Sequence, residues 1–103
     1  MGAGSFRSDV PPACSHLETI EFADVPEAIP GCEDCLEIDG WWVHLRRCTS
    51  CGRILCCDNS PNRHATAHAT ATGHPVIRSV EPYEAWFWCY VDEVAFVLDD
   101  AQA

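Results

Sequence analysis

A chain of 103 residues with a formal charge of −10 is one small domain with limited apolar surface to bury. It also lacks the basic face that phosphate binding requires, since its only six basic residues are all Arg, so no nucleic-acid partner is expected. No apolar run is long enough to span a bilayer or to form a secretory leader behind a basic start, so the chain is expected to be cytoplasmic, monomeric and not membrane-bound.

The eight cysteines need an explanation in such a chain. In a reducing compartment, metal ligation is a better reading than a disulfide framework, and five histidines point the same way. The opening Met-Gly does not complete a myristoylation signal, because Phe6 stands where Ser or Thr is needed.

In chain order, residues 1–13 read as a disordered lead and 14–100 as a single domain. Residues 20–31, "IEFADVPEAIPG", suit an irregular connection. The runs "WWVHLRR" (41–47) and "RILCC" (53–57) are strand candidates with turn residues around them. A helix is expected over about 61–72, with Ser60 as cap, Pro61 at the first helical position, and Gly73 and Pro75 as the stop. "PVIRSV" (75–80) and "AWFWCYV" (85–91) read as strands, and "VAFVL" (94–98) as a further apolar segment. The fold class is α+β: a short antiparallel sheet with one main helix.

In the run 85–90, alternation places Trp86, Trp88 and Tyr90 on one strand face and Ala85, Phe87 and Cys89 on the other. The tryptophans Trp41, Trp42, Trp86 and Trp88 are read as core, because large aromatics dominate burial in small domains. His44 reads as a strand-surface residue.

The ligand inventory is ordered. Cys14-x-His16 comes first, followed by the knuckles Cys32-x-x-Cys35 and Cys48-x-x-Cys51. Adjacent Cys56 and Cys57 are followed by His64, His68 and His74 in "HATAHATATGH", and Cys89 stands three residues before Asp92. A C-x-x-C turn sets two thiolates around one tetrahedral Zn²⁺. The stretch from Cys48 to His68 also has the spacing C-x2-C-x12-H-x3-H of a DNA-reading finger. Its helix offers only Arg63 as a base, however, and six further potential ligands would be left without a role. By spacing alone, His64 and His68 on one helix face can serve one ion or two.

Taken in order, C-x-H (14–16), C-x-x-C (32–35), W-V (42–43), C-x-x-C (48–51), Cys56, H-A-x-x-H (64–68), G-H-P (73–75) and W-C-Y (88–90) resemble the UBP-type (BUZ) zinc finger of ubiquitin-specific proteases. The run looks most like the family's short stand-alone bacterial members. The resemblance implies a cross-braced domain with three Zn²⁺. One ion would take Cys32, Cys35, Cys56 and His64, and a second Cys48, Cys51, His68 and His74. The third would take Cys14, His16, Cys89 and Asp92, where Asp92 replaces a family Cys. Such closed sites are structural.

In ubiquitin-binding members an aromatic pocket takes a free C-terminal Gly-Gly tail, and an Arg two residues after the Cys matching Cys56 pairs with its carboxylate. Here that position is Asp58. Trp88 and Tyr90 match pocket residues and Trp42 another aromatic of the pattern, while a family Tyr falls near Ala95. Arg53 or Arg63 is the candidate for the missing charge. The implied function is a non-catalytic module for a protein or peptide C-terminus. The alternative is a redox-responsive zinc–thiol protein using Cys56 and Cys57. A third reading, catalysis at an open zinc position near Asp92, finds no base beyond Glu93.

Overall fold

The computed structural model describes residues 15–98; the expected lead over 1–13 and the ligand Cys14 lie outside them. Five short strands form one antiparallel sheet: β1 (Leu45–Cys48), β2 (Ile54–Cys56), β3 (Val76–Ser79), β4 (Phe87–Cys89) and β5 (Val94–Phe96), in the order β2-β1-β3-β4-β5. β2 to β5 fall inside stretches where strand or apolar character was expected, and β1 runs one residue past its expected stretch, to Cys48. Two helices accompany the sheet, α1 (Glu33–Ile38) and α2 (His64–Thr72), after a 3-10 turn at Leu17–Thr19.

Helix α2 begins at His64, three residues later than Pro61 suggests. The reason lies in its cap. Arg63 holds a left-handed conformation (φ 46°) with no side-chain capping bond, and the first helical N–H, that of His64, donates to Cys56 Sγ at 3.1 Å. A sulfur on β2 therefore meets the positive end of the helix. Ser60 is engaged elsewhere, its Oγ accepting the Val43 N–H at 2.8 Å. The stop at Gly73 is as expected: φ 78° with its N–H bonded to Ala69 O, a left-handed helix end that suits Gly.

Helix α1 lies where no helix was expected. Its six residues start from Cys32, whose Sγ accepts the Cys35 N–H at 3.3 Å, so the C-x-x-C knuckle itself is the helix start. Glu33 and Asp34 occupy its first turn, favourable at a helix N-terminus, and Arg53 reaches back to pair with Glu33, Asp34 and Glu37.

The register separates the two faces of the sheet. Cys48 opposes Ile77, Ile77 opposes Trp88, and Trp88 opposes Ala95; this face carries α2 and the core of Cys32, Cys35, Leu55, Cys56, Ala65 and Ile77. The other row runs Arg47, Arg78, Phe87, Phe96, where Val76, Phe87 and Cys89 pack with Ile20, Ala23 and Val94. The stretch read as an irregular connection thus covers a sheet face. It accepts the guanidinium of Arg47 at Asp24 and that of Arg78 at the Ala23 carbonyl, which compensates two cations placed side by side on neighbouring strands.

The expectation of a tryptophan core is corrected. Trp41 is 64% exposed, and Trp42, Trp86 and Trp88 are only partly buried. The deep positions belong to Phe87, Leu55, Val76 and the cysteines Cys32, Cys35, Cys48, Cys56 and Cys89, because a sheet of three- and four-residue strands has no interior wide enough for an indole.

Candidate metal centres and the aromatic pocket

Three groups of metal-ligating side chains converge, with ligand atoms inside each group no more than 4.8 Å apart. The first is Cys32, Cys35, Cys56 and His64. His64 Nδ1 lies 3.4 Å from Cys32 Sγ, 3.4 Å from Cys35 Sγ and 3.6 Å from Cys56 Sγ, and Cys35 Sγ lies 3.9 Å from Cys56 Sγ. A tetrahedral Zn²⁺ with bonds of about 2.3 Å to sulfur and about 2.0–2.1 Å to nitrogen sets S···N edges near ~3.5 Å and S···S edges near ~3.8 Å. The donor set fits zinc.

The second group is Cys48, Cys51, His68 and His74. Cys48 Sγ is 3.4 Å from His74 Nδ1, Cys51 Sγ is 3.4 Å from His68 Nε2, and the two nitrogens are 3.3 Å apart, again the edges of one tetrahedron. One helix face therefore serves two centres. His64 presents Nδ1 to the inner one, and His68 presents the more distant Nε2 to the outer one. The alternative left open by the spacing, both histidines on one ion, is not the arrangement seen. Nor is the DNA-finger grouping of Cys48, Cys51, His64 and His68.

The third group among the described residues is His16, Cys89 and Asp92. Cys89 Sγ is 3.4 Å from His16 Nδ1, which is 3.6 Å from Asp92 Oδ2. The Asp92 N–H donates to Cys89 Sγ at 3.4 Å, nearly matching the bond within the Cys32–Cys35 knuckle. C-x-x-D thus folds as a C-x-x-C knuckle with a carboxylate in its second position. The backbone N–H of Ser15 and then its hydroxyl, with His16 alongside, hold the Asp92 carboxyl below its usual range, so it stays an anionic oxygen donor.

Protonation suits ligation at His68, where burial, the neighbouring His74 and Arg53 lower the imidazole and favour the neutral form a metal needs. Burial pushes the Cys32 thiol up to about 12 and raises Cys48 and Cys56 as well. Thiols crowded in this way become thiolates only against a compensating cation. The seven described cysteines form no disulfide.

A profile of zinc fingers in ubiquitin hydrolases and other proteins matches residues 32–101. The chain belongs to that UBP-type zinc-finger family. Protein RPA1320 from Rhodopseudomonas palustris, known from a solution NMR structure, is 52% identical, with 88% of this chain and 87% of that one covered and a TM-score of 0.74. No curated protein matches the chain. Membership and geometry together make this a zinc-binding domain.

The pocket lies on the helix-bearing face of this zinc finger. A cavity of about 610 Å³ is lined by Ile77, Trp86, Trp88, Tyr90 and Ala95 of the sheet face, by Arg46, and by Cys57, Asp58 and Asn59. Trp88, Tyr90 and Asp58 are among these lining residues. Trp42 is not among the lining residues; its indole lies against Gly31, where any Cβ would collide with it. The lining cation is Arg46 rather than Arg53, which is occupied by α1, or Arg63, at the helix start. Arg46 stacks 4.6 Å over the Trp86 ring and donates to Leu45 O at 2.9 Å. Its place in the pocket was legible only as one more alternating position of β1, opposite Ser79. Asp58 Oδ1 accepts the Thr66 hydroxyl at 2.6 Å, and Thr66 Oγ1 lies 3.1 Å from the Tyr90 hydroxyl.

Proposed function

We propose that this UBP-type finger is a non-catalytic interaction module that takes the C-terminal tail of a protein or peptide into the pocket beside α2. The observation that carries this reading is the cavity with its apolar and aromatic wall of Ile77, Trp86, Trp88 and Tyr90. At that wall stands the guanidinium of Arg46, which no carboxylate of the described residues pairs. Aromatic walls with one well-placed charge are the usual composition of a specific site, and Arg is the side chain suited to a carboxylate. Ubiquitin itself fits poorly, because Asp58 stands where its binders carry an Arg. A monomeric, cytoplasmic protein without nucleic-acid or membrane partners belongs to the same reading, and among the described residues no helix is long and apolar enough to cross a membrane.

Thiol chemistry between Cys56 and Cys57 draws no support from the geometry. Cys56 Sγ faces Cys35 and His64, whereas Cys57 turns to the pocket wall with its Sγ 3.5 Å from Ser60 Oγ.

The test is a chemical-shift titration of the zinc-loaded protein with short peptides bearing free or amidated C-termini. Free acids are expected to shift Trp88 and Tyr90, and Arg46→Ala to weaken them about tenfold, the worth of one charge-assisted bond. Absence of shifts at Trp88 across the panel would overturn the reading.

A further inference from the structure

Arg46 and Asp58 line one cavity, yet they are not ion-paired to each other. Arg46 spends its charge on a carbonyl and an indole face. Asp58, exposed at the rim, receives one hydrogen bond among the described residues, from Thr66. The pocket is therefore dipolar, with a cation at one place and an anion at another.

An occupant that offers only a carboxylate satisfies Arg46 but is repelled by Asp58, and it covers an anion without compensating it, which is costly. The chain's charge of −10 adds to that repulsion. An occupant that offers both a carboxylate and a cation satisfies both. Trp88 and Tyr90 would receive the methylene stem of a Lys or Arg, whose charged head also gains from an aromatic face.

We infer that the pocket selects tails ending in a basic residue, with the terminal carboxylate at Arg46 and the cationic side chain at Asp58. This rests on the tail-binding reading above and sharpens it, since the charge arrangement favours a ligand class distinct from a Gly-Gly end.

The experiment is calorimetric titration of the zinc-loaded full chain with pentapeptides of one Ala-rich body. They end in Arg free acid, Arg amide, Gly-Gly free acid or Asp free acid, and each is run against the parent and Asp58→Asn. The Arg free acid is expected to bind about tenfold tighter than Gly-Gly, as one added ion pair in a partly covered site gives. The amide should lose most of that affinity, and the Asp end should bind weakest. In Asp58→Asn, Arg and Gly-Gly ends should bind equally, with metal content by native mass spectrometry unchanged. Equal affinities in the parent, or an Arg preference that survives in Asp58→Asn, would overturn the inference and leave the pocket reading standing. Failure of all four peptides to bind the parent would overturn both.

Discussion

His68 Nε2 and His74 Nδ1 stand 3.3 Å apart, although one rides on α2 and the other follows the turn that ends it. Gly73 makes this possible. Its φ of 78° reverses the chain within one residue, so the last helical histidine and the first residue after the cap converge. Beyond its chain neighbours and the helix's own nearby backbone, no atom lies within 4 Å of a Cβ placed there, so the cost of a side chain is conformational and not steric. Gly73→Ala is expected to destabilise the domain by about 1–2 kcal/mol and to weaken the centre of Cys48, Cys51, His68 and His74 without affecting the inner one. Thermal denaturation with zinc counting by mass spectrometry checks it.

Removal of metal should unfold the chain. The inner ligands Cys32, Cys35 and Cys56 form one core cluster with Leu55, Ala65 and Ile77, so the ion would sit inside the core. Structural zinc contributes roughly 10–16 kcal/mol per site, against a total stability of about 5–15 kcal/mol for a small domain. Exhaustive chelation is expected to abolish the far-ultraviolet circular dichroism and to red-shift tryptophan emission. A native spectrum on metal-free protein would contradict this.

Metal capture should release protons, increasingly at the expense of affinity as pH falls. Burial raises the thiols of Cys32, Cys48 and Cys56, the first to about 12, so at neutral pH each is protonated before it ligates. In the unfolded, metal-free chain burial no longer raises the thiols, yet they stay mostly protonated at neutral pH, so apparent zinc affinity rises with pH up to the ordinary thiol range. The expected slope is about tenfold per pH unit for each displaced proton. An indicator dye in weak buffer measures the release directly, and no acidification on adding zinc would refute it.

The second core is independent of the inner metal. Phe87 is fully buried and stacks on Phe96 at 5.5 Å between centroids. Phe87→Ala is expected to cost about 3–5 kcal/mol. Denaturant titration of the zinc-loaded protein would show it as a lower midpoint.

What the sequence discloses and what it hides follows from the range of each interaction. Strand stretches, the Gly73 stop and the alternation of Trp86, Trp88 and Tyr90 are local, and all are visible. The six-residue α1 is too short for apolar periodicity, and the cap of α2 is a sulfur eight residues upstream, so Ser60-Pro61 misleads by three residues. Arg46 and Ile77 enter the pocket only through cross-strand register, which no single segment specifies. The cover supplied by Ile20, Ala23 and Asp24 depends on backbone carbonyls meeting buried arginines, a pairing that side-chain patterns do not encode. The metal groupings were legible because resemblance to a family supplied the long-range pairing that spacing left open.

Asp92 is expected to set whether the domain holds a third ion. Its N–H bond to Cys89 Sγ reproduces the knuckle, and its Oδ2 receives the Ser15 backbone N–H at 2.6 Å and hydroxyl at 2.9 Å on the side facing His16. Oxygen is an acceptable but harder zinc ligand than thiolate, and this centre is more exposed than the inner one. Because the carboxyl is held below its usual range, its anionic form persists above the ordinary carboxylate value and is lost only as pH falls through the lower, folded one. Native mass spectrometry should find one ion fewer in Asp92→Ala than in the parent, with the other centres filled. Asp92→Cys should keep the full complement and hold it more tightly against a competing chelator, since a thiolate restores the family's ligand at that position. Equal ion counts in the parent and Asp92→Ala would remove Asp92 from the ligand set.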